Sequence, residues 1–308
     1  MTLPIMKSKF IWLTLSGILV VTSIVLLSVF GLKLGIDFTG GSLLEIEVAN
    51  SNRPETSIVK QKLEDLDFLD SAQVQPAGEN GFLIRMKTLT EEEHQKVNGA
   101  LSELVKTNVA EGTQNQPEIK ELRFESIGPV IGKELSRRSI YAIVLVLIAI
   151  IIYLAYVFRK VSREISSWKM GAAAIIALIH DVLIVVGSFC LLGVFLNVEI
   201  DTMFITAILT VIGFSVHDTI VVLDRIRFNL LQLPDADFEE TTNLSINQTL
   251  ARSINTSLTA IFVLLALYLF GGESTKWFVL ALIIGIFIGT YSSIFIASPI
   301  LVFWRKRH

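Results

Sequence analysis

This 308-residue sequence has a single cysteine and no nucleotide-binding motif. Its single cysteine, Cys190, excludes a disulfide framework and a cysteine-based metal site. No glycine-rich phosphate loop ending in Gly-Lys-Ser or Gly-Lys-Thr occurs. The longest loop that we predict on the cytoplasmic side, 224–252, is too short for a nucleotide-binding domain. The missing phosphate loop and the short cytoplasmic loops together argue against an ATPase.

Charged residues are scarce as well: they make up 18% of the chain, whereas apolar residues make up 52%. This balance excludes a disordered chain and an ordinary soluble enzyme. The apolar residues are concentrated in runs long enough to cross a hydrocarbon core of about 30 Å as helices. The runs are 10–30, 139–158, 171–196, 203–223, 253–270 and 277–303. We therefore predict a polytopic α-helical membrane protein with six transmembrane helices.

The flanks of these runs predict the topology. The first run is too long for a cleavable signal peptide, and no small-x-small cleavage site follows it, which indicates an uncleaved anchor. Under the positive-inside rule, both termini lie in the cytoplasm of a bacterium and 31–138 lies outside its inner membrane. We predict three parts. Residues 1–30 form the cytoplasmic N-terminus and the first span, 31–138 form the external domain with its connectors, and 139–308 form the other five spans with short loops and the cytoplasmic C-terminus. The cations that set this orientation are Lys7, Lys9, Arg159, Lys160, Arg163, Lys169, Arg305, Lys306 and Arg307.

The external segment 31–138 has the pattern of a soluble α+β domain. Alternating and helical periodicities predict the order βαββαβ, which is the ferredoxin-like arrangement. A capping box at Thr90 to Glu93 opens the second helix. The predicted strands are 43–48, 72–76, 82–87 and 119–125, the first helix is 54–67, and a turn covers 77–81.

The external domain offers no nucleophile–base pair and no metal cluster. His94 is its only histidine, and we expect it on an exposed turn of the second helix. This absence favours a binding or mechanical module over an enzyme.

Charges inside the apolar runs are the candidate functional groups. Asp181 follows His180 in the third run, and Asp218 follows His217 in the fourth. Burying a carboxylate in a bilayer costs at least about 2.5–3.5 kcal/mol, so such residues usually serve an ion path or a paired site. For Asp218 we favour an ion path, while for the other three a structural pairing is equally open. Arg252, entering the fifth run, is either a partner that holds Asp218 ionised or a snorkelling cation.

Small residues form a stripe in the sixth run. Gly285, Gly289 and Ser293 recur every fourth position. This small-xxx-small pattern predicts close helix packing.

Six stretches, in order along the whole chain, resemble the SecD/SecF family of protein-translocase subunits. Each is weak alone, but their topological positions agree with one another. They are GIDFTGG at 35–41, GPVIG at 128–132, ALIHD at 177–181, DTIVVLDRIR at 218–227, RSINTSLT at 252–259 and GTYSS at 289–293.

This resemblance implies an RND-like half-transporter that a SecD partner completes, working beside the SecYEG channel on a translocating preprotein. YajC, YidC and membrane lipids are further implied partners; no cofactor, nucleic acid or enzymatic activity is implied. In the family, the residues matching Asp218 and Arg252 are implicated in proton conduction, although sodium would also suit a carboxylate. The family commonly has asparagine where this chain has His217, which leaves the local protonation chemistry open.

A mechanism follows from the resemblance as a hypothesis. Protonation of Asp218 would shift the packing of the last three spans and swing the external domain, which would bias the preprotein outward. Glycine-rich connectors on either side of that domain are the expected hinges: Gly40, Gly41, Gly128 and Gly132.

Two other functions stay open. An RND-type half-transporter for small hydrophobic molecules or lipids would have the same spans, but its external domains are usually larger. A non-conducting scaffold of the translocon would use the charges as structural pairs. Asp218→Asn separates the scaffold from a proton path, because only a scaffold tolerates it.

Overall fold

A computed structural model describes residues 3–49, 53–69, 71–78, 80–107, 118–159, 166–233 and 235–304. The chain divides into two compact units, Leu34–Arg138 and the remainder, which we call the membrane unit. Some predicted features lie outside the described residues. They are Glu79 of the predicted turn and the cations Lys160, Arg163, Arg305, Lys306 and Arg307.

Long helices lie before and after a segment whose described residues contain four strands and three shorter helices. The helices are α1 Lys9–Val29, α2 Ile36–Thr39, α3 Thr56–Glu64, α4 Glu91–Thr107, α5 Pro129–Val157, α6 Ser167–Leu196, α7 Thr202–Gln232, α8 Phe238–Phe270, α9 Glu273–Ser292 and α10 Ser298–Trp304. A π-helical turn, Ser293–Ala297, joins α9 to α10 without a break. The strands are β1 Gly41–Ala49, β2 Gln73–Ala77, β3 Gly81–Met86 and β4 Glu118–Ile127.

Among the described residues, six helices are long and apolar enough to span a membrane, which agrees with the predicted number. Three of them extend well beyond their apolar runs: α5 begins earlier, α7 ends later and α8 begins earlier. Polar residues continue α7 and α8 because the two helices pack on each other there. Nδ2 of Asn229 donates to Oγ of Ser245 across this contact at 2.8 Å, and Asp237 caps the start of α8.

Helix α9 is central in the membrane unit, where it packs against α6, α7 and α8. Helix α1 packs on α6, and a methyl group added at Gly187 would lie 2.4 Å from Cβ of Ser23. Such close approach requires small residues on both helices.

The segment before α1 is bound to the start of α8. The backbone N–H of Leu3 donates to Oδ1 of Asn247 at 2.8 Å, and its carbonyl accepts from Nδ2 of Asn243 at 3.0 Å. Nζ of Lys9 lies 2.5 Å from Oε2 of Glu239. The segment before α1 and the first residue of α1 are therefore held against the start of α8.

The unit Leu34–Arg138 contains a four-stranded sheet in the order β2-β3-β1-β4, with every neighbouring pair antiparallel. Its elements follow in the predicted order β, α, β, β, α, β. Because side chains alternate along β1, Leu44, Ile46 and Val48 all point to the same face of the sheet. There they form a core with helices α3 and α4. The predicted capping box is confirmed, because the N–H of Thr90 donates to Glu93 at 2.8 Å and that of Glu93 to Oγ1 of Thr90 at 3.4 Å.

His94 does not lie on an exposed turn, so that expectation is wrong. It is 5% exposed, its ring stacks on Phe124 at 3.6 Å, and its Nε2 lies 3.0 Å from Oε2 of Glu121. Its position is one helical turn before Val97, on the face of α4 that covers the sheet. A carboxylate on β4 gives the imidazole the polar partner that burial requires.

Candidate functional site

Two buried carboxylates lie on neighbouring helices of the membrane unit. Asp181, midway along α6, is fully buried, and Asp218, midway along α7, is 7% exposed. Within the described residues, neither forms an ion pair with a lysine or arginine. Both carboxylates depend on neutral or titratable donors instead.

Asp181 is contacted from three helices. Oγ of Ser215 on α7 donates to its Oδ2 at 2.5 Å, and Oγ of Ser292 on α9 donates to the same oxygen at 2.7 Å. Nδ1 of His180 lies 2.8 Å from its Oδ1. The Nε2 of this imidazole is buried, has no hydrogen-bond partner among the described residues, and the ring stacks on Tyr291 at 6.2 Å.

Asp218 is held by two hydroxyl groups. Oγ of Ser253 on α8 donates to its Oδ1 at 2.6 Å, and Oγ of Ser293 donates to its Oδ2 at 2.5 Å. Ser292 and Ser293 are adjacent in sequence, so neighbouring residues of one helix end serve different carboxylates. We call these two adjacent sets of hydrogen-bonded residues, which the chain joins at Ser292 and Ser293, the cluster.

Glycines bring α9 close enough for these contacts. A methyl group added at Gly285 would lie 2.1 Å from Cγ2 of Val211 on α7. One at Gly289 would lie 3.1 Å from Cβ of Ser215 and 3.7 Å from Oδ2 of Asp181. The predicted stripe therefore faces α7, and its third member, Ser293, also binds a carboxylate.

Arg252 and His217 lie elsewhere. Both are exposed, and the structure does not bring either side chain to a carboxylate. Successive helical residues point about 100° apart, so turning Ser253 toward Asp218 turns Arg252 away. His217 instead shares an exposed face of α7 with Thr206, Thr210 and Gly213, which recur at helical spacing.

The serines of the cluster were missed by sequence reasoning as carboxylate ligands. The sequence predicts a packing role for Ser293, and it places Ser292 only within the GTYSS stretch. The signal available in the sequence was the spacing of Ser215, one helical turn before Asp218, and the position of Ser253 at the polar start of the fifth apolar run. Serine is common in packed membrane helices, so this signal alone does not identify a ligand.

The cluster consists of two carboxylates, hydroxyl groups and one imidazole. The described residues contain no group of three or more histidine, cysteine, aspartate or glutamate side chains placed to bind an ion. A carboxylate without a nearby cation is costly to keep ionised at membrane depth. Its hydroxyl neighbours can donate to the ionised form and accept from the protonated form.

The four connector glycines differ in their surroundings. Gly40 has a φ of 76°, and a methyl group there would lie 2.9 Å from Cα of Pro129. One at Gly132 would lie 3.0 Å from the nitrogen of Gly40, and one at Gly41 would lie 2.8 Å from the carbonyl oxygen of Met86. Gly128 has no neighbour within 4 Å. The two connectors therefore touch each other through glycine.

Comparison with known proteins matches the whole chain to one group. The family model described as protein export membrane protein SecD/SecF, C-terminal, matches residues 106–307, and the SecD/SecF GG motif matches 25–51. Protein translocase subunit SecF of Thermobaculum terrenum is 44% identical over 99% of this chain and 95% of its own length. The SecF of Anaerolinea thermophila is 41% identical over 99% and 94%.

Larger relatives contain a region similar to this chain. Protein translocase subunit SecDF of Thermus thermophilus is 36% identical over 90% of this chain but only 35% of its own length. A crystal structure of SecDF from Thermus thermophilus matches 99% of this chain and 39% of that chain, with 32% identity and a TM-score of 0.81. SecDF in its super-membrane-facing form matches with a TM-score of 0.68. With a family model over most of its length and relatives above 40% identity, the chain belongs to the SecD/SecF family of protein export membrane proteins.

Proposed function

We propose that this chain is a SecF-type subunit of a bacterial protein translocase, which uses proton movement across the inner membrane to complete protein export. It has no enzymatic role in this proposal. The relatives named protein translocase subunit SecF support the assignment, since they cover nearly all of this chain. Each proton that crosses releases about 2.3 kcal/mol per 100 mV of membrane potential.

The observation that supports the proton-coupled role is the pair of buried carboxylates that have no lysine or arginine partner in the described part of the chain. A purely structural charge at this depth would be expected to have a permanent counter-ion, because an unpaired buried carboxylate is costly. Asp181 and Asp218 have serine hydroxyls and one histidine instead. That environment tolerates both the ionised and the protonated state.

The predicted relay residues then take distinct roles. Asp218 is the main proton site, and Asp181 with His180 is a second site within the same cluster. Arg252 and His217 are exposed in this chain, and they act where another polypeptide covers them. Sodium coupling would use the same carboxylates.

The partner that covers them is a SecD subunit. Thr206, Thr210 and Gly213 form, with His217, a polar and small exposed face on a membrane-spanning helix. Polar groups at membrane depth normally face protein or water rather than lipid. The SecDF relative, of which this chain covers 35%, supports a larger assembly with SecD. SecYEG, YajC and YidC are further proposed partners, beside the preprotein.

The unit Leu34–Arg138 is the part that acts on the preprotein in this proposal. Its element order and antiparallel sheet order β2-β3-β1-β4 support a ferredoxin-like domain, located in the periplasm with both termini of the chain cytoplasmic. Its neighbours α1 and α5 belong to the predicted spans, so a shift among the spans is passed along the chain. Gly40, Gly41, Gly128 and Gly132 are the proposed hinges.

Export in inside-out membrane vesicles tests the function. The vesicles contain this chain, its SecD partner and the channel, and translocation is started with ATP and then continued after ATP removal. A proton gradient should drive completion with the unmodified chain and fail to do so with Asp218→Asn. The matched control is Asp224→Asn, which removes a charge from the same helix where Asp224 pairs with Arg227 at 2.6 Å outside the cluster.

The outcomes are distinct. Equal completion by Asp218→Asn and the unmodified chain would refute proton coupling at Asp218 and favour the scaffold. Loss of completion in both variants would show that charge on α7, not the site, is what matters.

A further inference from the structure

Four consecutive residues, the last three of α9 and the first of the π-helical turn, reach four other helices. Oγ1 of Thr290 is hydrogen-bonded to Oγ of Ser257 on α8, and the hydroxyl of Tyr291 lies 2.9 Å from Oγ of Ser16 on α1. Ser292 reaches α6 through Asp181, and Ser293 reaches α7 through Asp218. Because helical residues point about 100° apart, only a helix surrounded by others can make four such contacts in a row.

Each of the two serine hydroxyls has a second acceptor. Oγ of Ser292 lies 2.7 Å from Oδ2 of Asp181 and 3.1 Å from the carbonyl oxygen of Gly289. Oγ of Ser293 lies 2.5 Å from Oδ2 of Asp218 and 2.9 Å from the carbonyl oxygen of Thr290. A hydroxyl carries a single proton, so it donates fully to one acceptor at a time.

This duplication gives each carboxyl two satisfied states. When the carboxylate is ionised, the serine donates to it. When the carboxyl takes up a proton it becomes a donor, the serine oxygen accepts, and the serine proton turns to the backbone carbonyl. Neither state leaves the serine hydroxyl or the carboxyl oxygen that faces it without a partner, a loss that would cost about 1–3 kcal/mol.

The π-helical turn links the two serines mechanically. It begins at Ser293, and its first carbonyl accepts from Oγ of Ser298 at 3.1 Å. Ser292 is the last residue of α9, directly before this turn. Single π-helical turns within α-helices recur at functional sites. Because Ser292 and Ser293 are consecutive, a change in the backbone of this turn would move both hydroxyl groups together.

We propose that Ser292 and Ser293 couple the protonation of Asp181 to that of Asp218, by switching their hydroxyl protons between the carboxylates and the carbonyls one turn earlier. They are positioning residues, and the proposal rests on the proton-coupled function. Through them, a proton on one carboxyl alters the hydrogen bonds available to the other.

Infrared difference titration of the complex with its SecD partner, in lipid vesicles, tests the coupling. The carbonyl band of protonated Asp181 is followed against pH, with and without Asp218→Asn, and assigned by its loss in Asp181→Asn. We expect Asp218→Asn to change the proton affinity of Asp181 by about fivefold or more. Adding Ser292→Ala and Ser293→Ala should remove most of that factor, leaving only the through-space effect of the charge.

Ser253→Ala is the matched control. It removes the other hydroxyl donor of Asp218, on α8, and leaves both serines of α9 in place. This control should alter the titration of Asp218 itself while the coupling to Asp181 persists. Each single variant, Ser292→Ala or Ser293→Ala, should weaken the coupling as well, so the test does not depend on the double variant folding.

Coupling that survives both serine substitutions unchanged, or that Ser253→Ala abolishes equally, would overturn the proposal. Its failure is distinguishable from failure of the proposed function. If the gradient drives no export but the serines still govern the coupling, the function is wrong and the inference stands. If export is gradient-driven and the coupling ignores the serines, the reverse holds.

Discussion

Alanine at Gly285 should separate α9 from α7. The added methyl group would lie 2.1 Å from Cγ2, 2.6 Å from Cγ1 and 2.9 Å from Cβ of Val211. Ordinary van der Waals contact between carbon atoms begins near about 3.5 Å. Rotation of Val211 cannot relieve the overlap, because all three branching atoms are too close and a β-branched side chain is stiff.

The magnitude follows from two opposing effects. Overpacking a well-packed core costs typically about 1–3 kcal/mol, and a clash with a rigid side chain belongs at the upper end. Replacing a helical glycine by alanine returns about 1 kcal/mol of helix propensity. We therefore expect Gly285→Ala to lower the free energy of unfolding by about 2 kcal/mol. The displaced α9 would also stretch the hydrogen bonds from Ser292 and Ser293.

Thermal unfolding of the complex in detergent provides the assay. Gly171→Ala is the matched control, since Gly171 on α6 has no neighbour within 4 Å and does not belong to the proposed SecD-facing surface of α7. Val211→Ala combined with Gly285→Ala removes two of the three clashing atoms and should recover part of the loss. Equal melting of Gly285→Ala and Gly171→Ala would refute the packing argument, as would a double variant no better than Gly285→Ala.

Two further predictions concern the unit Leu34–Arg138. Gly40→Ala should destabilise it by about 1–3 kcal/mol, because φ is 76° there and Pro129 blocks the methyl group, whereas Gly128→Ala should be tolerated; comparative thermal unfolding of the two variants decides this. The N–H of Thr90 donates to Glu93 and lowers the pKa of this carboxyl, so its stabilisation of α4 is present above its usual pKa and is lost as pH falls through the lowered one. Hydrogen exchange of the first-turn amides, corrected for intrinsic pH dependence, should rise with acid in the unmodified chain and stay flat in Glu93→Gln.

The membrane spans could be predicted from the sequence because hydropathy alone selects them. The ends of α7 and α8 could not, since their polar extensions depend on each other through contacts such as Asn229 to Ser245. The periodicity of one helix predicts which of its residues face a neighbour, but it does not predict which residues of the neighbour they contact. The same limit explains His94, whose burial requires Glu121 on a strand far along the chain.

The carboxylates of the site were predictable, but their ligands were not. An aspartate stands out in an apolar run, so Asp181 and Asp218 were identified at once. Which face of α8 meets Asp218 depends on the rotation of that helix, and a rotation of one residue exchanges Ser253 for Arg252. Rotation is decided by packing against several helices together, which no single stretch of sequence contains.

The contacts that α1 and the segment before it make with later helices constrain the order of assembly during synthesis. Tyr291 is 275 residues beyond its partner Ser16, and Asn247 is 244 beyond its partner Leu3. During synthesis, the first helix is therefore inserted long before these partners exist. Until α9 has been made, the hydroxyl of Ser16 lacks its partner Tyr291. The bundle closes only when the last helix arrives, so nascent chains stalled before α9 should be the form that quality-control proteases recognise.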